Sequence, residues 1–189
     1  MAIEKRRKTA ETDIYVGIGN SETSIATGNG FFDHMLSLFA FHWGITLQIK
    51  ACGDYQTGLH HTVEDIGIVL GWALNELWQN KQGLHRYGHI ILPMDEALVL
   101  VACDLSARPY LGFELSCQSQ TVAGFSVELV EEFLRSLVNN AQITLHIKQL
   151  AGRNTHHIIE AVFKGLGRVM KQCSQKTGAA IPSSKGVLQ

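Results

Sequence analysis

Neither sign of charge prevails in this chain of 189 residues: Lys and Arg number 16, Asp and Glu 17, for a formal net charge of −1. That balance leaves no electrostatic footprint for nucleic acid or for an anionic membrane. No apolar run is long enough to span a bilayer. The N-terminus lacks an apolar stretch followed by a small-residue cleavage site, so no signal peptide is expected and the location expected is cytoplasmic. The cysteines, Cys52, Cys103, Cys117 and Cys173, lie scattered without CxxC spacing, which implies reduced, mostly buried thiols. No Pro- or Ser-rich linker divides the chain, so one compact body is expected. With 46% hydrophobic and 17% charged residues the composition is globular, and the length suits one domain or two small halves sharing a core. The one basic run, EKRRK at residues 4–8, reads as a solvated and partly disordered terminus.

What the chain has in surplus is histidine, nine in all, four of them in two adjacent pairs. HHTVEDIGIVLG begins at His60 and HHIIEAVFKGLG at His156, 96 positions later. ITLQIK, from Ile45, returns as ITLHIK, from Ile143, 98 positions later. The same order at nearly the same spacing is the mark of a duplicated half-domain. In the first half, DIYVGI and TSIAT suggest a hairpin around GNSE. FFDHMLSLFAFHW has helical periodicity with Gly44 to end it, ITLQIKA alternates as a strand, and residues 62–80 read as a helix. The second half follows with strands near 97–104 and 110–117, a helix near 126–140, a strand at 143–149 and a helix from His156. Residues 87–94 look like an additional strand joining the halves. The expected fold is α+β: a ββαβα unit written twice, with mixed sheets packed on helices. The repeats are drawn at 9–93 and 94–177, with a tail at 178–189.

Adjacent helical residues point about 100° apart, whereas i and i+4 share a face. His60 therefore aligns with Glu64, and His156 with Glu160, while His61 and His157 point elsewhere. Two such helices facing each other, in one molecule or across a subunit interface, can each hold a metal and lend the second histidine to the other. The duplication also maps His34, in FFDHML, onto Glu132, in VEEFL. Two symmetric sites result: His60, Glu64, Glu132 and His157; and His156, Glu160, His34 and His61. Imidazole and carboxylate without thiolate suit Mn²⁺, Fe²⁺ or Zn²⁺. One HH pair on a helix is more often a packing or surface feature, but two HHxxE copies at equivalent places argue for ligands. His42, His85, His89 and His146 have no partner at ligand spacing and are expected to be packed or surface residues.

GNGFFDHML, HHTVEDIGIVLG, MDEAL, DLSARPYL, ITLHI, GRNTHHIIEAVFKGLGR and PSSKGVL together resemble the imidazoleglycerol-phosphate dehydratase family of histidine biosynthesis, in its monofunctional form. The likeness runs from about Lys8 to Leu188. It implies the ribosomal protein S5 domain 2-like fold and two manganese ions per active site, other divalent metals being admitted. Their ligands would be His34, His60, His61, Glu64, Glu132, His156, His157 and Glu160. It implies that Glu11 contacts substrate, as does His34, and that Arg86, Arg108, Ser184 and Lys185 meet the substrate phosphate. It further implies a homo-oligomer of twenty-four subunits, built from trimers, with active sites between subunits. Three positions depart from the family pattern: Glu132 stands where many relatives have histidine, Asn29 where threonine is usual, and Ala107 where glycine is common.

The implied reaction removes water from D-erythro-imidazole glycerol phosphate to give imidazole acetol phosphate. The elimination could pass through a diazafulvene-like intermediate. Glu64, Glu160 and Glu11 are the candidates to move the proton, and Asp95 either supports a ligand from behind or simply makes a turn. Two other functions stay open on the residues alone: a metal-dependent hydrolase or isomerase acting on another phosphorylated ligand, and a catalytically silent metal-binding assembly.

Overall fold

Alternation of apolar and polar residues carries the strands. In ALVLVACD, Ala97, Val99, Val101 and Cys103 are buried while Leu98, Leu100, Ala102 and Asp104 face outward. The structure, a computed structural model, describes residues 2–53, 55–56 and 58–186. The first half runs β1 (Ile3–Lys8), β2 (Thr12–Ile18), β3 (Ser24–Ala26), α1 (Gly30–Trp43), β4 (Leu47–Gly53) and α2 (His60–Leu77). The second runs β5 (Tyr87–Met94), β6 (Ala97–Asp104), β7 (Tyr110–Glu114), the short ribbon β8 (Thr121–Val122) and β9 (Phe125–Ser126), then α3 (Glu128–Ala141), β10 (Thr144–Ala151) and α4 (Thr155–Ser174). The sheets share one order, β1-β2-β4-β3 and β5-β6-β10-β7. In each, the last pair is parallel and the others antiparallel. The α+β duplication is thus present in full.

Three details differ from the sequence expectation. Residues 4–8 form most of β1, paired along their length with β2. The run is charged because it is an edge strand: Lys5 and Arg7 reach over α2 to Glu76 (2.5 Å) and Asp65 (3.0 Å), while Arg6 grips Asp13 on the outer face. β2 and β3 are not a hairpin, because β4 lies between them and pairs with both. Finally, Tyr87–Met94 is the edge strand of the second sheet, equivalent to β1. Each half is therefore βββαβα, one strand more than expected, and a division at 93/94 would cut the second sheet from its own edge.

The helices lie between the sheets, α2 against the first and α4 against the second, with α1 packed on α4 and α2 on α3. Asn29 caps α1 by accepting a hydrogen bond from Phe32 N (3.0 Å), so it does the work threonine would do, and Gly44 ends the helix at φ 82°. All four helices run the same way. Phe31 at the start of α1 meets His156 at the start of α4, with ring centres 5.3 Å apart. At the far end the Trp43 and Trp78 rings stack, and Trp78 Nε1 donates to Ser174 Oγ (2.9 Å). Between these levels Phe32, Phe125, Phe133 and Phe163 interlock with centres 5.2 to 6.3 Å apart. Among the described residues no helix is long and apolar enough to cross a membrane.

Candidate functional site

Because the helices are parallel, both HHxxE segments open at one end of the helix layer. There the structure gathers two clusters whose ligand-type atoms lie within 4.8 Å of one another: His34, His156 and Glu160, joining α1 to α4, and His60, Glu64 and Glu132, joining α2 to α3. Each cluster draws one helix from each half. His34 and His60 are exposed, so both clusters face solvent, above the phenylalanine core.

The donor sets fit a divalent cation. None of the four cysteines takes part, and imidazole with carboxylate oxygen is the chemistry of Mn²⁺, Fe²⁺ or Zn²⁺. In the second cluster Glu64 and Glu132 present two carboxylates together, and no lysine or arginine pairs with either among the described residues. A bound cation would remove that repulsion. In the first cluster, Glu160 is buried and accepts from His156 Nε2 (3.1 Å) and Lys164 Nζ (2.5 Å). Burial pushes its carboxyl up, but Lys164 and His156 outweigh burial and hold it below the ordinary range.

The two remaining histidines stand apart from these clusters, as adjacent positions on a helix require. His61 Nδ1 lies 3.5 Å from Glu11 Oε2. His157 Nδ1 lies 2.7 Å from Glu96 Oε2. Glu11 precedes β2 as Glu96 precedes β6, so the pairs are equivalent. Glu96 also accepts from the Arg153 and Asn154 amides (3.2 and 2.8 Å). The His157 hydrogen bond and the Asn154 amide pull its carboxyl down to about 2, and Glu96 in turn raises His157. Sequence reasoning missed Glu96. It took up Asp95 instead, yet Asp95 sits at φ 48° as the turn residue, 3.7 Å from His157. Aligning ETDIYVGI with EALVLVAC would have matched Glu11 to Glu96. Lys164, the ion-pair partner of Glu160, was missed too, although it follows that residue by one helical turn.

The residues expected at the phosphate lie elsewhere. Arg86 follows α2 and precedes β5; its amide bonds to Cys173 O near the end of α4 (3.1 Å). It is buried, holds φ 73°, and is gripped along one edge by Asp104, Nε to Oδ1 at 2.7 Å and Nη2 to Oδ2 at 3.1 Å. Its third nitrogen, Nη1, donates to Pro182 O (2.8 Å), so Arg86 holds the tail to the body. Arg108 is exposed at the same end of the second sheet, where its carbonyl accepts from Thr144 Oγ1 (3.0 Å). Ser184 and Lys185 are exposed on the tail, and Val187 to Gln189 lie outside the described residues. At about 1.5 Å per helical residue, α4 separates His156 from Cys173 by roughly 25 Å. One chain therefore brings the six cluster residues and Glu11 to one end and Arg86, Arg108, Ser184 and Lys185 to the other.

Comparison with known proteins agrees with this architecture. Residues 27–170 match the family model "Imidazoleglycerol-phosphate dehydratase". A protein of that name from Desulforamulus reducens is 52% identical over 187 residues, 96% of this chain and 95% of that one. One from Staphylococcus carnosus is 49% identical over the whole of both chains. The crystal structure of imidazoleglycerol-phosphate dehydratase from Staphylococcus aureus subsp. aureus N315 superposes with a TM-score of 0.86 at 44% identity, covering 94% of this chain and all of that one. The corresponding structure from Pyrococcus furiosus, in complex with (S)-C348, gives 0.85 at 45%, covering 97% and 99%. On this likeness, which runs through both halves and both HHxxE helices, the chain belongs to the imidazoleglycerol-phosphate dehydratase family.

Proposed function

We propose that this hydro-lyase of histidine biosynthesis dehydrates D-erythro-imidazole glycerol phosphate to imidazole acetol phosphate at metal sites completed between subunits. The observation that carries the reading is the pair of imidazole–carboxylate clusters at equivalent places in the two halves. His34, His156 and Glu160 would hold one divalent ion and His60, Glu64 and Glu132 another, two per active site, with manganese the metal that family resemblance favours. His61 and His157 would be lent to clusters on neighbouring chains, released from Glu11 and Glu96. When bound, the ions would supply Lewis acidity toward the imidazole ring and the substrate hydroxyls.

The chain's own groups do the rest. The elimination takes hydroxide from the carbon beside the ring and a proton from the next carbon, so that water leaves and the enol keeps its hydroxyl on that second carbon. Glu11, exposed beside His61, is the carboxylate free to receive that proton, with Glu64 and Glu160 the other candidates. Arg108, Ser184 and Lys185 offer a guanidinium, a hydroxyl and an ammonium to the phosphate. Arg86 contributes by seating the tail that carries two of them. A separation of roughly 25 Å along α4 far exceeds the reach of a three-carbon phosphate ester. Imidazole and phosphate ends must then be gripped by different chains, which supports a homo-oligomer. The same reading places the enzyme in the cytoplasm. Manganese-loaded protein given imidazole glycerol phosphate is expected to form imidazole acetol phosphate, followed as the enol product converts to ketone. Protein with metal bound and no turnover would refute the reading.

A further inference from the structure

Among the described residues two buried side-chain polar atoms have no hydrogen-bond partner, Thr62 Oγ1 and Lys81 Nζ. A hydroxyl left unpaired is a modest penalty, but a buried ammonium without an acceptor is destabilising enough to need a reason. Burial draws Lys81 below its ordinary value, and only Asp104 acts to hold the proton on.

The surroundings of Lys81 supply that reason. It lies in the short loop after α2, which is stitched to the tail: Gly83 N donates to Ala180 O (2.9 Å) and Thr177 N to Gly83 O (2.8 Å). Gly83, at φ 71°, lies so close that an added Cβ would strike Gly178 O. The tail continues to Pro182, held by Arg86, and then to Ser184 and Lys185. Both oxygens of Asp104 are occupied by Arg86. Asp104 is turned to Arg86 through both oxygens and makes no hydrogen bond to the Lys81 ammonium, so this corner sets the charges of Arg86 and Lys81 against one carboxylate.

We propose that Lys81 is a further phosphate-binding residue, its ammonium completing, with Ser184 and Lys185 on the tail that Arg86 seats, a site for a phosphate monoester dianion. This rests on the hydro-lyase reading above, whose substrate ends in such a group. The site also confers specificity: an unphosphorylated analogue leaves Lys81 orphaned, whereas the ester gives it an acceptor.

The test replaces Lys81 by methionine, which keeps the apolar stem and removes the charge. KM for imidazole glycerol phosphate is expected to rise about tenfold or more, with kcat changed by less than about threefold. Competitive inhibition by inorganic phosphate, and the rise it causes in wild-type Tm, are expected to weaken in parallel. The Tm of ligand-free Lys81→Met should match or exceed wild type, because an unpaired charge has gone. Lys148→Met, which removes a lysine paired with Glu114 on the outer face of the second sheet, is the control and should leave all these values unchanged. A lowered Tm with unaltered KM would mean that Lys81 is structural and overturn the proposal. Phosphate inhibition that depends on Lys81 but is not competitive would overturn the assignment to substrate. If wild type turned over no substrate, the hydro-lyase reading would fall, whereas phosphate stabilisation of wild type lost in Lys81→Met would still uphold an anion site.

Discussion

At the scale of single residues, backbone conformation separates positions the sequence names together. In DLSARP, Ala107 occupies the left-handed region at φ 59°, which explains why glycine is common there. An alanine in that region is strained by about 1–2 kcal/mol, and a glycine gives part of that back through the greater freedom of the unfolded chain. Ala107→Gly is expected to raise unfolding stability by about 0.5–1 kcal/mol, read from urea denaturation. A loss of stability would show that the φ of Ala107 carries no strain. In PMDEAL the same consideration assigns Asp95 to the turn and frees Glu96 to face His157. The ligand-type residues were legible because helical geometry assigns His60 with Glu64 and His156 with Glu160 from spacing alone. Glu96 was not, because its role depends on a strand pairing that puts the β5–β6 turn beside α4, and no local pattern encodes that contact.

At the scale of elements, small residues decide how closely helices from opposite halves approach, and hence whether each cluster can close. Gly67 and Gly71 line the face of α2 that meets α3. A Cβ on Gly67 would lie 2.6 Å from Phe133 O, and one on Gly71 would lie 2.9 Å from Leu137 O. Gly167, the repeat equivalent of Gly71, stands in the same relation to Phe39 and Trp43 of α1. Gly67 lies one turn below Glu64, so any separation of α2 from α3 there pulls Glu64 away from Glu132. Gly67→Ala is expected to cost about 2–3 kcal/mol in stability and to weaken manganese binding at that cluster about tenfold or more. The α1–α4 cluster should keep its affinity. Calorimetric titration would separate the two, and equal weakening at both would argue that the helix pairs do not act independently. The terminal glycines of both HHxxE segments were plain in the sequence. β1 was not, since an edge strand held by Lys5, Arg6 and Arg7 shows charge where a strand pattern calls for alternation. Nor was the placement of β4 between β2 and β3, because β3 has only three residues and little pattern of its own.

At the scale of the whole molecule, the parallel run of four helices divides the chemistry. Every N-terminus, with its metal-type ligands, lies at one end; the loop after α2, the end of α4 and the tail, with their cations, lie at the other. Sequence reading could assemble both sets of residues but not the distance between them, because nothing local states that α1 and α4 run the same way. With roughly 25 Å along α4 between the ends, no single chain can contribute both His156 and Arg108 to one active site. Two defective variants should therefore rescue each other. His156→Ala and Arg108→Ala are each expected to be inactive as pure assemblies. Unfolded together in equal amounts and refolded with manganese, they should form mixed oligomers in which each site draws its two sides from separate chains. Random assembly then makes about a quarter of the sites wild type on both sides, and about a quarter of wild-type activity should return. The variants refolded separately and then mixed should stay inactive, which excludes leakage from either one. If co-refolded oligomers contain both chains and show no activity, His156 and Arg108 must serve the same site from one chain, and the division of labour along α4 is wrong.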